Sequence, residues 1–142
     1  MSEIYGVTFP IPKSLMGRFF EDGKTVFIKP AQSFKLLKPG MKFVFYQSRE
    51  DTGFVGEGKI VNVLLVDDPL TLVDKHKEKL FLTQEEIKTY LNFQQTWKGY
   101  RARKDFVKGK RWMAIELEKI EKYQYIQKPD HFVTVGGRYL RK

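Results

Sequence analysis

The stretch Phe54–Val66 has the apolar, β-branched composition of one long strand, yet it carries Gly56 and Gly58 in its interior. A glycine inside a strand packs no side chain, and it marks a bulge, a sharp bend or the close approach of another backbone. A strand built to bend suits a sheet that curls on itself, and such a sheet needs short, well-punctuated neighbours. The sequence supplies them. Residues 4–9 (IYGVTF) read as a first strand, stopped by Pro10 and Pro12, and Pro12 fits the first turn of a helix. Leu15, Met16, Phe19 and Phe20 then form an apolar stripe at helical spacing, with Gly23 placed to end that helix in a left-handed conformation. Thr25–Ile28 is a short strand closed by Lys29-Pro30. Leu37-Lys38-Pro39-Gly40-Met41 is a turn, because proline presets φ and glycine supplies the positive φ that follows. Lys42–Tyr46 is an aromatic strand, and the polar turn 49–53 leads into the long one.

Beyond Asp67-Asp68-Pro69, the Thr83-Gln84-Glu85-Glu86 spacing is that of a capping box. Ile87, Tyr90, Leu91 and Trp97 continue on one face, which predicts a helix over about 84–98. Trp112–Ile120 returns to strand, with Met113, Ile115 and Leu117 alternating against Ala114, Glu116 and Glu118, so Trp112 belongs to the core. Residues 126–131 read as a turn, Phe132–Val135 as a last strand, and the remainder as a tail. The order β-α-β-β-β-α-β-β leaves few βαβ units, so a parallel doubly wound sheet is excluded. The expected fold class is α+β, a small, mixed, partly closed β-barrel with flanking helices, in a single domain over 1–142.

Charge narrows the function. The formal net charge is +9, and hydrophobic residues make up 42% of the chain, so the charge sits on a folded object rather than on a disordered tail. Residues 1–96 hold 13 Lys/Arg against 12 Asp/Glu, whereas residues 97–142 hold 13 against 5. An excess concentrated in the last third points to a polyanionic partner; the alternative is the Lys enrichment of a heat-adapted protein, which raises both signs together. Residues 98–111 (KGYRARKDFVKGKR) carry seven basic residues and one acid, with Tyr100 and Phe106 between them. Lys98, Arg101, Arg103, Lys104, Lys108, Lys110 and Arg111 are therefore candidate phosphate contacts, and Tyr100 a candidate stacking ring. The alternative is a solvated loop whose aromatics plug the core.

Several chemistries are set aside. Gly23-Lys24-Thr25 follows a helix and enters a strand, the inverse of a phosphate loop, and Gly17 lies one residue too far upstream. There is no cysteine, so no disulfide, thiolate nucleophile or sulfur-held zinc. His76 and His131 are isolated, and His76, between Lys75 and Lys77, reads as a solvated loop residue. No metal and no cofactor is expected. The longest apolar run, Ile60–Val66, is broken by Asn62, and MSEIYGVTF is no signal peptide, so no membrane association and a cytoplasmic location are expected.

Gly23-Lys24-Thr25-Val26-Phe27-Ile28-Lys29 followed by Leu37-Lys38-Pro39-Gly40-Met41-Lys42-Phe43-Val44-Phe45-Tyr46 resembles the PUA-like superfamily, and within it the ASCH and EVE domains. Gly56, Gly58 and Lys59-Ile60-Val61 resemble its following strand. GVTFPIP near the start and VGGRYLRK at the end resemble a small archaeal family of unassigned function. The resemblance implies a pseudo-barrel whose cleft receives RNA, a modified nucleotide or a flipped base, with Lys24, Lys29 and Tyr46 lining it. For one ASCH subgroup it also implies hydrolysis of acylated cytidine, which would fall here to Lys24 and Glu78. The position of that subgroup's second Thr is Phe27, however, and Lys29 stands in place of its Arg, losing the planar fork. The functional expectations are thus an RNA- or nucleotide-binding module, an amidohydrolase using Lys24 and Glu78, or a protein-interaction domain with an acidic partner.

Overall fold

The strand marked for bending lies in the middle of the sheet and bends where its glycines sit. The computed structural model describes residues 3–30, 36–89, 112–129, 133 and 137–141. β1 (Ile4–Pro12) runs into α1 (Lys13–Phe20), followed by β2 (Val26–Pro30), β3 (Lys42–Ser48) and β4 (Gly53–Val66). α2 (Leu70–His76) continues as a 3-10 turn over Lys77–Lys79, residues 84–89 are helical (α3), and β5 (Trp112–Gln127) and β6 (Arg138–Arg141) complete the order. The strands form one sheet in the order β2-β5-β4-β3-β1-β6. β1 and β3 run parallel, while the other neighbouring pairs are antiparallel.

The curl is made by β4 and β5. Their register slips between Phe54 and Gly56, between Glu57 and Lys59, and between Ile60 and Asn62. Lys119 on β5 takes a left-handed φ of 53°. Each irregularity adds local twist, and together they roll the long ribbon into a half-barrel. Gly56 is required there: a Cβ on it would lie 2.5 Å from the Glu121 carbonyl oxygen and 2.5 Å from the Phe20 ring.

What fills the half-barrel is phenylalanine. Phe27, Phe43, Phe45, Phe19 and Phe81 form a closed circuit, each ring centroid 4.9–5.2 Å from the next, with Phe9 stacked on Phe27. Aromatic pairs at such spacings add attraction beyond their buried area. Trp112, at 1% exposure, joins the same core. The type of turn expected at Lys38–Met41 is present, with Gly40 at φ 94° and the Met41 N–H bonded to the Lys38 carbonyl at 3.2 Å.

Several elements differ from the sequence reading. β1 does not stop at Pro10 but continues to Pro12, because β6 pairs with β1 only as far as Thr8, and beyond it a missing N–H removes no ladder bond on that side. α2 was not foreseen, although Asp68-Pro69 is a helix-start signature: the Asp68 carboxylate accepts the Leu70 N–H at 3.0 Å. β5 runs through Ile120 to Gln127 and absorbs part of the expected 126–131 turn, while the supposed tail forms β6 against β1. Val133 is buried and lies in no strand; the rest of Phe132–Val135 is outside the described residues, as are the predicted helix positions Tyr90, Leu91 and Trp97. No helix among the described residues is long and apolar enough to cross a membrane.

Candidate functional site

Because phenylalanine fills the barrel interior, room for a ligand lies at its mouth. Gly23, at φ 74°, reverses the chain after α1, and the Lys24 N–H bonds back to the Arg18 carbonyl at 3.0 Å. The segment after α2 then adds itself to the open edge of β2. Thr25 N–H donates to the Lys79 carbonyl, Phe81 N–H donates to the Val26 carbonyl, and Val26 pairs with Leu80 in parallel. This strap covers an edge that would otherwise expose unpaired backbone. Between it and the end of α1 opens a cleft of about 370 Å³. Its apolar floor is Val73, Leu80, Phe81 and Leu82, and its polar groups are Arg18, Asp22, Lys24, Glu78, Thr83 and Gln84.

Lys24 and Glu78, distant in sequence, are thus brought to one place. The Lys24 ammonium donates to the backbone carbonyl of Glu78 at 2.5 Å, so that carbonyl orients it. Arg18 is tied down more firmly. Its guanidinium donates to both Glu86 carboxylate oxygens, at 2.6 and 2.9 Å, and to the Phe81 carbonyl at 2.7 Å. Glu86 in turn completes the capping box, accepting the Thr83 N–H at 2.8 Å while its own N–H donates to Thr83 Oγ1 at 3.1 Å. The Arg18 hydrogen bond is the main reason that the Glu86 carboxyl falls from its usual 4.5 to about 2. The capping-box spacing announces the bond of Glu86 to Thr83 but gives no sign of its partnership with Arg18.

The other expected site residues separate. Phe27 belongs to the phenylalanine circuit and is 3% exposed. Lys29 does not line the cleft; its ammonium lies 4.9 Å above the Phe9 ring. Tyr46 corrects the expectation that it lines a pocket. It is 2% exposed and packs edge-on to Phe54 at 5.6 Å, because β3 is covered on both faces at that position. Lys98, Tyr100, Arg101, Arg103, Lys104, Lys108, Lys110 and Arg111 lie outside the described residues.

His76 is a second correction. It is no solvated loop residue but ends α2, with its buried Nε2 3.5 Å from Glu116 on β5. Burial lowers its pKa, against a smaller raising effect of Glu116, and Lys75 adds to the lowering. The unfolded chain takes up a proton near pH 6.5 that the native state accepts only at lower pH. Stability is therefore expected to fall as the pH drops below about 6.5. Urea unfolding between pH 7.5 and 5.5 checks this, since His76→Gln should flatten that part of the profile; an unchanged slope in the variant would remove His76 as its source.

Residues 4–142 match the family described as Domain of unknown function (DUF365), and the chain belongs to that family. An uncharacterized protein of Methanocaldococcus jannaschii is 39% identical over 102 residues, which cover 72% of this chain and 91% of that protein. Among solved structures, the ASCH protein of Zymomonas mobilis superposes with a TM-score of 0.72 at 14% identity, covering 97% of this chain and 89% of the other. A mutant form of the same protein gives 0.73 at 14% identity, with 100% and 92% covered. The architecture is accordingly the ASCH-type, PUA-like α+β fold that the motifs resemble.

Proposed function

We propose that this chain is an RNA- or nucleotide-binding module of the cytoplasm, a single PUA-like domain whose mouth cleft holds a base or nucleoside. The observation that carries this is the Lys24 ammonium, held by the Glu78 carbonyl over an apolar floor in a cleft of about 370 Å³. A few convergent polar groups above an apolar floor, in a volume of this order, suit a small aromatic ligand. The charge supports a base in preference to a phosphate. Arg18 is satisfied by Glu86, and Lys24 shares the cleft lining with the acidic residues Asp22 and Glu78. Such a mixed set offers donors and acceptors to a base edge but no net attraction for an anion. The basic run 98–111 would supply backbone contacts.

A second reading, hydrolysis of an acylated nucleoside, is favoured by one observation, the meeting of Lys24 and Glu78 in one cleft. Against it stands Phe27, packed into the core where that chemistry needs a hydroxyl, while Thr83 Oγ1 is engaged in capping. Acylated cytidine should therefore show no turnover above buffer; turnover abolished by Lys24→Ala would replace the binding reading with the enzymatic one.

The direct test is a titration with nucleosides and mononucleotides followed by chemical shifts. Shifts should move around Lys24, Leu80 and Thr83 and stay still around Tyr46. A hydrogen bond from a charged group contributes about 1.5–3 kcal/mol, so Lys24→Ala should weaken binding roughly ten- to a hundredfold, and Lys29→Ala little. Silence around Lys24 at millimolar ligand would end this reading of the cleft.

A further inference from the structure

A second cleft, of about 530 Å³, shares no lining residue with the first. It forms because the sheet curls: Phe54 and Lys128, at the β4–β5 end, meet Tyr5 of β1 and all four residues of β6. We propose that this cleft binds the sugar–phosphate backbone of single-stranded RNA. The proposal rests on the reading of the chain as an RNA-binding module, but on different residues.

Among the described residues, the charged side chains that line the cleft are of one sign. Lys128, Arg138 and Arg141 line it, and no carboxylate does so among the described residues. Outside the lining, the Asp51 carboxylate forms an ion pair with Lys13 and interacts more weakly with Lys128, whose ammonium is oriented by the Thr52 carbonyl at 2.5 Å. Cations gathered in a concave site with no acid among them raise the local concentration of an anion. Guanidinium groups add a planar fork that matches phosphate oxygens.

Its shape is linear. Arg138 and Arg141 lie an odd number of residues apart, so a regular strand sends them to opposite faces, yet both line the cleft. The cleft therefore follows the edge of β6, which among the described residues pairs only with β1. An extended polyanion laid along that edge meets both arginines. Aromatic rings then distinguish RNA from an acidic peptide: Tyr5 is 36% exposed within the cleft, and Tyr125, 75% exposed, lies two residues before Gln127. Exposed rings among cations are what unpaired bases stack upon.

The test measures fluorescence anisotropy of a labelled oligouridylate of about 12 nucleotides at about 50 and about 200 mM salt, beside the nucleoside titration. In the variant combining Lys128→Gln, Arg138→Gln and Arg141→Gln, affinity should fall tenfold or more, and the salt slope of log K should shrink by about 2, near 0.7 per phosphate contact. Tyr5→Ala should weaken RNA binding without changing that slope. If the triple variant does not fold by circular dichroism, Lys128→Gln and Arg141→Gln singly, both at exposed positions, should each weaken binding about threefold. RNA binding absent in the parent chain or unchanged in the variants overturns the proposal, as does tighter binding of a glutamate-rich peptide of equal charge. Loss of RNA binding in the variants while nucleosides leave Lys24 silent supports this cleft and sinks the reading of the first. Nucleoside shifts that persist while the variants bind RNA normally do the reverse.

Discussion

Gly56→Val is expected to leave the chain unfolded or aggregated at ordinary temperature, and Gly56→Ala to cost about 3 kcal/mol or more, at the upper end of overpacking penalties. A Cβ at this position meets two obstacles at 2.5 Å, the Phe20 ring and the Glu121 carbonyl oxygen. The ring could rotate away, though it is held edge-on to Phe45 at 5.2 Å. The carbonyl belongs to the neighbouring strand and cannot move without opening the β4–β5 ribbon. Valine adds two methyl groups to the same clash. Gly58→Ala is the control, because its nearest obstacle is the Ile120 side chain at 3.2 Å, which can shift by a few tenths of an ångström. Chemical denaturation of the two alanine variants should separate them by about 2 kcal/mol. Equal stabilities would mean that the sheet at Gly56 is looser than its contacts indicate.

That glycine was legible in the sequence because a backbone requirement leaves a local mark: glycine within a strand pattern announces a bend whatever its neighbours are. The same holds for Pro39-Gly40 and for the capping box, each of which specifies a few dihedrals or bonds within four residues. What stayed hidden depends on residues far apart in the chain. His76 looked solvated between two lysines, since nothing local says that α2 docks its last residue on Glu116. Tyr46 looked like a pocket residue, because the resemblance supplies a position but not the packing of Phe54 upon it. Arg138 and Arg141 looked like a tail, because an edge strand of four residues is recognisable only once β1 is there to pair with it. Periodicity reports which face is apolar; it does not report which distant faces meet.

On the proposed reading, the two clefts would divide an RNA ligand between them on physical grounds. The mouth cleft mixes charges of both signs over an apolar floor and suits a base edge. Among the described residues, the charged side chains that line the edge cleft are Lys128, Arg138 and Arg141, with Tyr5 and Tyr139 beside them, a set that suits backbone phosphates. Base contacts give sequence preference and are insensitive to salt, whereas phosphate contacts give affinity that salt removes. Mutations in the two places should therefore differ in kind, the first changing which nucleotide binds and the second changing how steeply binding falls with salt.

Glu86→Ala is expected to destabilise the fold by about 2–3 kcal/mol and to disorder the mouth cleft with it. Its carboxylate does two jobs at once, closing the capping box of α3 at Thr83 and holding the Arg18 guanidinium through both oxygens. Losing the cap costs about 1 kcal/mol. Losing the ion pair leaves Arg18, only 24% exposed, donating to the Phe81 carbonyl in the cleft wall, with the more distant Asp22 as a weaker counter-charge. Breaking a buried pair costs about 3–5 kcal/mol, and exposure of 36% at Glu86 reduces this to roughly 1–2. Glu86→Gln separates the two jobs: an amide oxygen still accepts the Thr83 N–H, but the charge that holds Arg18 is gone, so about half of the loss should remain. The pH dependence carries the same signature. With its native carboxyl near 2 against 4.5 unfolded, Glu86 stabilises the fold fully above about pH 4.5, and this contribution is lost as the pH falls from there toward 2. Acid titration of the parent chain and of Glu86→Gln should show curves that converge across that window. Curves that stay parallel through it would mean that the pair with Arg18 contributes nothing to stability and that the strap over β2 is held by its backbone bonds alone.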